Sequence, residues 1–320
     1  MCPADLPTLT QAPYLVAPKH DGVRHLLLLT QYPAGVNVAV LVTRNWKCYP
    51  ITVAARASHF RAGSLFDGEL VRQPIEHADC TAPWRFVFCV FDVVAAAGVS
   101  HVARDYTHRH GLLRELFFDG DGVDMQALYD PTGWHNVTAP TIARQSGKLV
   151  ACGNAHYLGF RTKSWRPLSD MHGALRDMHG GVADGLIFMP VAEGVSRTTK
   201  HTRMFKWKTR HTIDLKVTKA PDGSVQVLHY DGATRKDSCD AISGYELRVI
   251  GDTSGMVGGG EVSEFEILDV NGGEVLLQFV CARSDKINAN TGMVIAATID
   301  NFVNPVTEDA LVKTCLGGVE

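Results

Sequence analysis

The chain has no Cys-x-x-Cys pair. Its eight cysteines are scattered, which excludes a zinc ribbon and a small disulfide framework and fits reduced thiols in an intracellular compartment. It also carries little net charge. With 31 Lys and Arg against 34 Asp and Glu, a net of -3, it is no polycationic nucleic-acid coat, and any nucleic-acid contact is expected in one local groove. No apolar run approaches transmembrane length, and Met1 to Pro18 lack the basic start and continuous apolar core of a signal peptide. No membrane partner is expected. Neither the glycine cluster Gly251 to Gly260 nor Ser146-Gly147-Lys148 completes the glycine-spaced Gly-Lys-Ser/Thr of a phosphate loop. Internal repeats, low-complexity tracts and charged tails are missing too.

What is present is an ordinary globular composition. At 320 residues and 45% hydrophobic, the chain can bury a sizeable core and is long enough for two domains. Short alternating runs dominate. Tyr14 to Ala17, His25 to Leu29, Val36 to Thr43, Lys47 to Val53, Phe66 to Val71 and Phe86 to Val94 read as strands of an antiparallel, half-buried sheet. His108 to Phe118 and, more weakly, Leu168 to Met178 carry apolar residues at helical spacing. Phe118 to Pro140 reads as an irregular loop. From Asp214 onward, short strands alternate with turn signals such as Asp231-Gly232 and Asn271-Gly272-Gly273, the texture of a small all-β unit the size of an oligonucleotide-binding (OB) fold. Helical character returns over Asn301 to Leu316, with Thr307 as a cap.

The chemistry starts at Lys19-His20-Asp21-Gly22-Val23-Arg24, which sets an amine, an acid and a guanidinium around a glycine on the turn between two strands. An ordinary ammonium has a pKa of about 10.4 and is neutral in fewer than about one molecule in a thousand at pH 7. A lysine nucleophile therefore needs cations or burial nearby. Phe66-Asp67-Gly68-Glu69 places two carboxylates on one strand face, suited to a ribose hydroxyl or a metal ion. Phe91-Asp92 offers an aromatic face for base stacking. In Asp184-Gly185-Leu186-Ile187 the acid is of the kind that binds magnesium. Phe205-Lys206-Trp207-Lys208 presents two lysines on one face and two aromatics on the other, and Arg283-Ser284-Asp285-Lys286 adds a charged cluster in the C-terminal part.

In this order the six motifs resemble those of the covalent nucleotidyltransferases, the superfamily of mRNA capping enzymes and polynucleotide ligases. Lys206-Trp207-Lys208 running into Thr212-Ile213-Asp214-Leu215, Phe66 before Asp67-Gly68-Glu69, and Arg44-Asn45 after the second strand are similar to the capping guanylyltransferases. The resemblance implies an α+β fold: an antiparallel-sheet, ATP-grasp-like nucleotidyltransferase domain over 1–213, an OB-fold over 214–300, and a helical segment 301–320 packing back on the first domain. It implies that Lys19 takes GMP from GTP and passes it to the 5′-diphosphate end of RNA. Arg24, Asp67, Glu69, Phe91, Lys163 and Ile187 would bind the nucleotide, Lys163 at guanine O6. Lys206 and Lys208 would grip the α-phosphate, and Arg283, Asp285 and Lys286 would act from the second domain. Asp184, Asp214 and Glu69 would hold Mg2+ or Mn2+. Ala289-Asn290 stands where the family has Pro-Asn, and only 18 residues precede Lys19, so the family's N-terminal elements are expected to be shortened or supplied by a larger parent. RNA triphosphatase and cap methyltransferase activities are expected on other chains or domains, and the place of action in the nucleus, a viral factory or a virion. Two other readings use the same residues: an ATP-dependent RNA or DNA ligase, and a non-catalytic nucleotide-binding subunit.

Overall fold

The computed structural model describes residues 1–51, 53, 55–74, 84–116, 127–129, 143–145, 148–150, 156–181, 183–195, 203–219, 225–251, 261–283 and 286–317. The chain divides into two compact units, one of Gln11–Phe205 and one of Met1–Thr10 with Lys206–Glu320.

In the first unit, β1 (Tyr14–His20), β2 (Val23–Gln31), β3 (Asn37–Thr43), β4 (Cys48–Ile51), β5 (Ser64–Pro74) and β6 (Trp84–Ala96) follow one another, and β7 (His156–Thr162) comes later. The main sheet runs β4-β3-β2-β5-β6-β7, with a short strand at Ala127–Tyr129 beyond β7. All its pairings are antiparallel except β6 with β7. Alternate residues of each strand turn inward: Leu27 and Leu29, Ala39 and Leu41, Phe66, Phe88 and Val90 form one core with Leu158 and Leu113. Leu113 belongs to α1 (Tyr106–Arg114), which opens on an Asp105 cap accepting from the His108 N–H at 2.7 Å. A second sheet centres on β1, flanked antiparallel by β8 (Arg166–Pro167) and β9 (Ala183–Pro190). The amphipathic α2 (Met171–His179) packs on β1 and β9 through a face that includes Met171, Ala174 and Met178.

The strands lie where alternation placed them, β1, β2, β5 and β6 with longer ends, β3 and β4 with shorter ones. β5 and β6 run past the apolar core of their motifs because cross-strand pairing continues into polar residues. The loop expected over Phe118 to Pro140 falls mostly outside the described residues.

The second unit holds β10 (Thr212–Lys219), β11 (Val225–Asp231), β12 (Lys236–Ser238), β13 (Glu246–Ile250), β14 (Val262–Asn271) and β15 (Glu274–Ala282) in the order β12-β11-β10-β14-β15-β13. The pairing of β13 with β15 is parallel and the others are antiparallel. Asn271-Gly272-Gly273 makes the hairpin between β14 and β15, with φ of 58° and 87° at the two glycines. The unit is not all-β. Helix α3 (Gly292–Val303) begins nine residues before the expected helical stretch and seats Ile295 and Ile299 in the sheet's core. Thr307 caps α4 (Glu308–Leu316), accepting from the Ala310 N–H at 3.1 Å. Residues 301–320 are grouped with this C-terminal sheet.

Candidate active site

β1 continues through His20, so only Asp21 and Gly22 are left to turn the chain into β2. Lys19 therefore stands on a strand end rather than on the turn. Its neighbourhood is irregular, because pairing with β9 slips between Pro18 and His20. From there Lys19 Nζ donates to both carboxylate oxygens of Asp184 at 2.6 and 2.9 Å. The turn demands glycine: a Cβ at Gly22 would lie 2.6 Å from the Leu70 carbonyl oxygen and 2.9 Å from Glu69 Cγ. That close approach packs the Lys19 turn against the Glu69 stem. Ile187 pairs with Ala17 across the same two strands.

The direct partner of Lys19 is thus an anion. Cations act on the next residue: burial first, then Lys163, Arg161 and Lys19, push His20 down to about 4. His20 is neutral at pH 7, and its buried Nδ1 has no hydrogen-bond partner among the described residues. Lys163 is placed by the parallel pairing of β7 with β6; its N–H donates to the Val90 carbonyl at 2.9 Å and its side chain is buried.

A second cluster crosses β2, β5 and β6. Arg24 faces Glu69 in register and reaches diagonally to Asp67, with Nε to Oδ1 at 2.8 Å and a second, shorter bond to Oδ2. Its guanidinium also lies 5.9 Å from the centre of the Phe91 ring. Asp67 stands opposite Asp92, two acids side by side in the sheet. Asp92 is held by Arg109 of α1, with Nε to Oδ1 at 2.6 Å and Nη2 to Oδ2 at 3.1 Å. Burial pushes the Asp67 carboxyl up and the Asp92 charge adds to it, against the pull of Arg24. Gly68 makes this crossing possible, since a Cβ there would lie 2.5 Å from the Phe88 ring. Arg24, Asp67 and Phe91 are therefore together at one end of the sheet, where Glu69 and Lys163 also lie.

The remaining expected residues belong to the second unit. On the strand Phe205–Lys208, Trp207 is buried and donates Nε1–H to the Val306 carbonyl at 2.6 Å, while Lys206 is exposed and Lys208 half-buried. Asp214 is buried and accepts from Arg283 at 3.2 Å and, more closely, from Lys286. Glu264, opposite Asp214 in register, accepts from Arg283 at 3.1 Å. Burial alone would raise the Glu264 carboxyl; the Thr212 hydroxyl, Arg283 and Lys208 outweigh it and hold the group low. Asn290 clamps the Asp214 backbone from both sides, its N–H donating to the carbonyl at 2.7 Å and its Oδ1 accepting from the N–H at 2.8 Å. Asp285 lies outside the described residues.

As donors for a divalent ion, Asp184 and Asp214 are engaged by lysine and arginine side chains, and among the described residues no three His, Cys, Asp or Glu side chains gather as a metal site. Sequence reasoning passed over Arg109 and Glu264, gave Arg161 no role, and met Asn290 only as part of Ala289-Asn290. α1 holds two arginines, Arg109 and Arg114, and nothing in the sequence tells which of them meets Asp92.

The described residues thus bring together, in an antiparallel-sheet α+β fold, a strand-end lysine beside an acid and an arginine-carboxylate cluster. Over residues 1–130 the chain matches the family described as mRNA capping enzyme, catalytic domain. The resemblance read from the motifs thus holds across the stretch that carries Lys19, Arg24, Asp67, Glu69 and Phe91. Among solved structures, the chain is similar to a mycobacterial DNA ligase D complexed with ATP and MES, at 13% identity and a TM-score of 0.43, covering 86% of this chain and 90% of that one. The ligase domain of M. tuberculosis LigD is 14% identical, with a TM-score of 0.37 and the same coverage of 86% and 90%. A Lig E DNA ligase is 15% identical, with a TM-score of 0.36, covering 85% of this chain and 93% of that one.

Proposed function

We propose that the protein is an mRNA guanylyltransferase acting through a covalent lysyl-GMP on Lys19. The observation that carries this is the contact between Lys19 Nζ and the Asp184 carboxylate, in a chain whose first 130 residues match the capping enzymes' catalytic domain. Asp184 is the nearest acceptor for the proton that Lys19 must lose. The freed amine attacks the α-phosphorus of GTP. An N–P bond forms, the bond from that phosphorus to the oxygen bridging the β-phosphate breaks, and pyrophosphate leaves with the electron pair. A terminal oxygen of a 5′-diphosphate RNA then attacks the same phosphorus, the N–P bond breaks, and Lys19 recovers a proton. Two displacements replace one difficult transfer.

In this reading Arg24, braced by Asp67, and Glu69 hold the ribose. Phe91 stacks on guanine, Lys163 donates to its O6, and Ile187 lines the pocket. Lys206 and Lys208 meet the α-phosphate. The second unit is read as an OB-fold whose Arg283, Asp285 and Lys286 serve the first displacement. RNA with a 5′-diphosphate, a triphosphatase and a methyltransferase come from other chains or domains, and the setting is a nucleus, viral factory or virion.

The test is incubation with α-labelled GTP or ATP and Mg2+ or Mn2+, followed by denaturing electrophoresis. Label from GTP, acid-labile and discharged by diphosphate-ended RNA, is the expected result, and Lys19→Met should reduce it to background. Label from ATP alone would replace the reading with a ligase. Label from neither would leave the non-catalytic subunit.

A further inference from the structure

The turn joining β3 to β4 reads Arg44-Asn45-Trp46-Lys47, and its backbone is tied at three points. The Trp46 N–H donates to the Thr43 carbonyl at 3.0 Å, the Thr43 N–H to the Lys47 carbonyl at 2.9 Å, and the Lys47 N–H to Thr43 Oγ1 at 3.1 Å. These bonds hold Trp46 at a φ of 59°. A bulky aromatic in the left-handed region is an outlier, and such local strain points from the backbone to a use for the side chain. Packing is not that use, since Trp46 is 81% exposed. Arg44 and Lys47 are exposed on either side of it.

Position gives the turn its meaning. The pairing of β2 with β3 ends at His25 opposite Thr43, so the turn begins level with Arg24, whose side chain reaches Asp67 and Phe91. An aromatic ring between two cations therefore stands at the end of the sheet that carries the candidate site. Tyr32 and Val36, also exposed, lie beyond the opposite end of the same hairpin. They do not extend the ring into an apolar patch of the kind a protein partner would cover.

We propose that this turn docks the acceptor strand: an unpaired base of single-stranded RNA stacks on the Trp46 indole while Arg44 and Lys47 hold the flanking phosphates. The identity of the strand as RNA rests on the function proposed above. The chemistry suits such an acceptor. Stacking on an indole tolerates any base, and phosphate neutralisation by two cations reads no sequence. A site that must accept transcripts of differing sequence needs both properties.

The measurement is fluorescence anisotropy of a labelled, single-stranded 5′-diphosphate RNA with the full chain. Trp46→Ala should weaken binding about tenfold, and Trp46→Gly equally, the latter at ease with a positive φ so that the turn survives. Trp46→Phe should stay within about twofold, because a smaller ring still stacks. Lys47→Ala should lower the slope of log affinity against log salt by about one. The lysyl-nucleotide adduct should form at the wild-type rate in each variant, while its discharge at subsaturating RNA slows in Trp46→Ala. The same RNA annealed into a duplex should bind wild type and Trp46→Ala alike. Unchanged single-strand affinity in both Trp46→Ala and Trp46→Gly would overturn the proposal, and so would an equal loss for the duplex. The binding assay needs no adduct, so a wild-type chain that takes no nucleotide label would strike the proposed function and leave the anisotropy to judge the turn.

Discussion

His20 shows what one residue contributes at the candidate centre. Its side chain is mostly buried among cations and held down to about 4, against about 6.5 in an unfolded chain. Between these values the unfolded chain binds the extra proton and the folded one does not. The stability tied to neutral His20 is therefore complete above about pH 6.5 and is lost as pH falls toward 4, to an extent of a few kcal/mol at most, on the order of 1.4 kcal/mol per pH unit. His20→Asn should flatten the pH dependence of urea unfolding in that window relative to wild type; parallel curves would refute the assignment. From the sequence His20 was only the spacer in a lysine motif. Its role depends on Lys163 and Arg161, which are far away along the chain and are delivered by the parallel pairing of β7 with β6. Alternation predicts strands; it does not predict which strands become neighbours.

At the scale of elements, α1 is fastened to the sheet by charge as well as by Leu113. Arg109 is 1% exposed, lies 5.2 Å over the Tyr106 ring, and donates to Asp92 and to the Glu193 carbonyl. Arg109→Met would leave Asp92 buried and facing Asp67 with one guanidinium between them. A loss of about 3–5 kcal/mol in denaturant unfolding is expected. Arg109→Met with Asp92→Asn should recover most of it, because the stranded charge is gone; a double variant no better than the single would show that the arginine acts by packing alone. The Phe91-Asp92 motif was legible as an aromatic and an acid, whereas the arginine that makes the acid tolerable was not. The boundaries of the helix over His108 to Phe118 were read from its apolar spacing, and the cap Asp105 moves the start to Tyr106. On β1 the lysine was placed on a turn because Pro18 looked like a strand end, yet Pro18 lies inside β1.

For the whole molecule, the texture changed at Asp214 to short strands with turn signals, and the helix within that stretch was hidden because Gly292-Met293-Val294 reads equally as a strand. The two units have separate cores, one around Leu27, Phe66 and Phe88 and the other around Leu215, Phe265 and Leu277. Leu277→Ala should cost the second unit about 2–5 kcal/mol. Hydrogen exchange should register this as faster exchange in β10, β14 and β15 with β2, β5 and β6 unchanged; equal acceleration in both would mean that the units unfold as one. The assignment of Met1–Thr10 to the same unit as Lys206–Glu320 has a topological consequence. The backbone crosses between the units twice, once after Thr10 and once after Phe205, so a nick after Phe205 leaves Lys206–Glu320 linked to the rest of the chain only through the noncovalent membership of Met1–Thr10 in its unit.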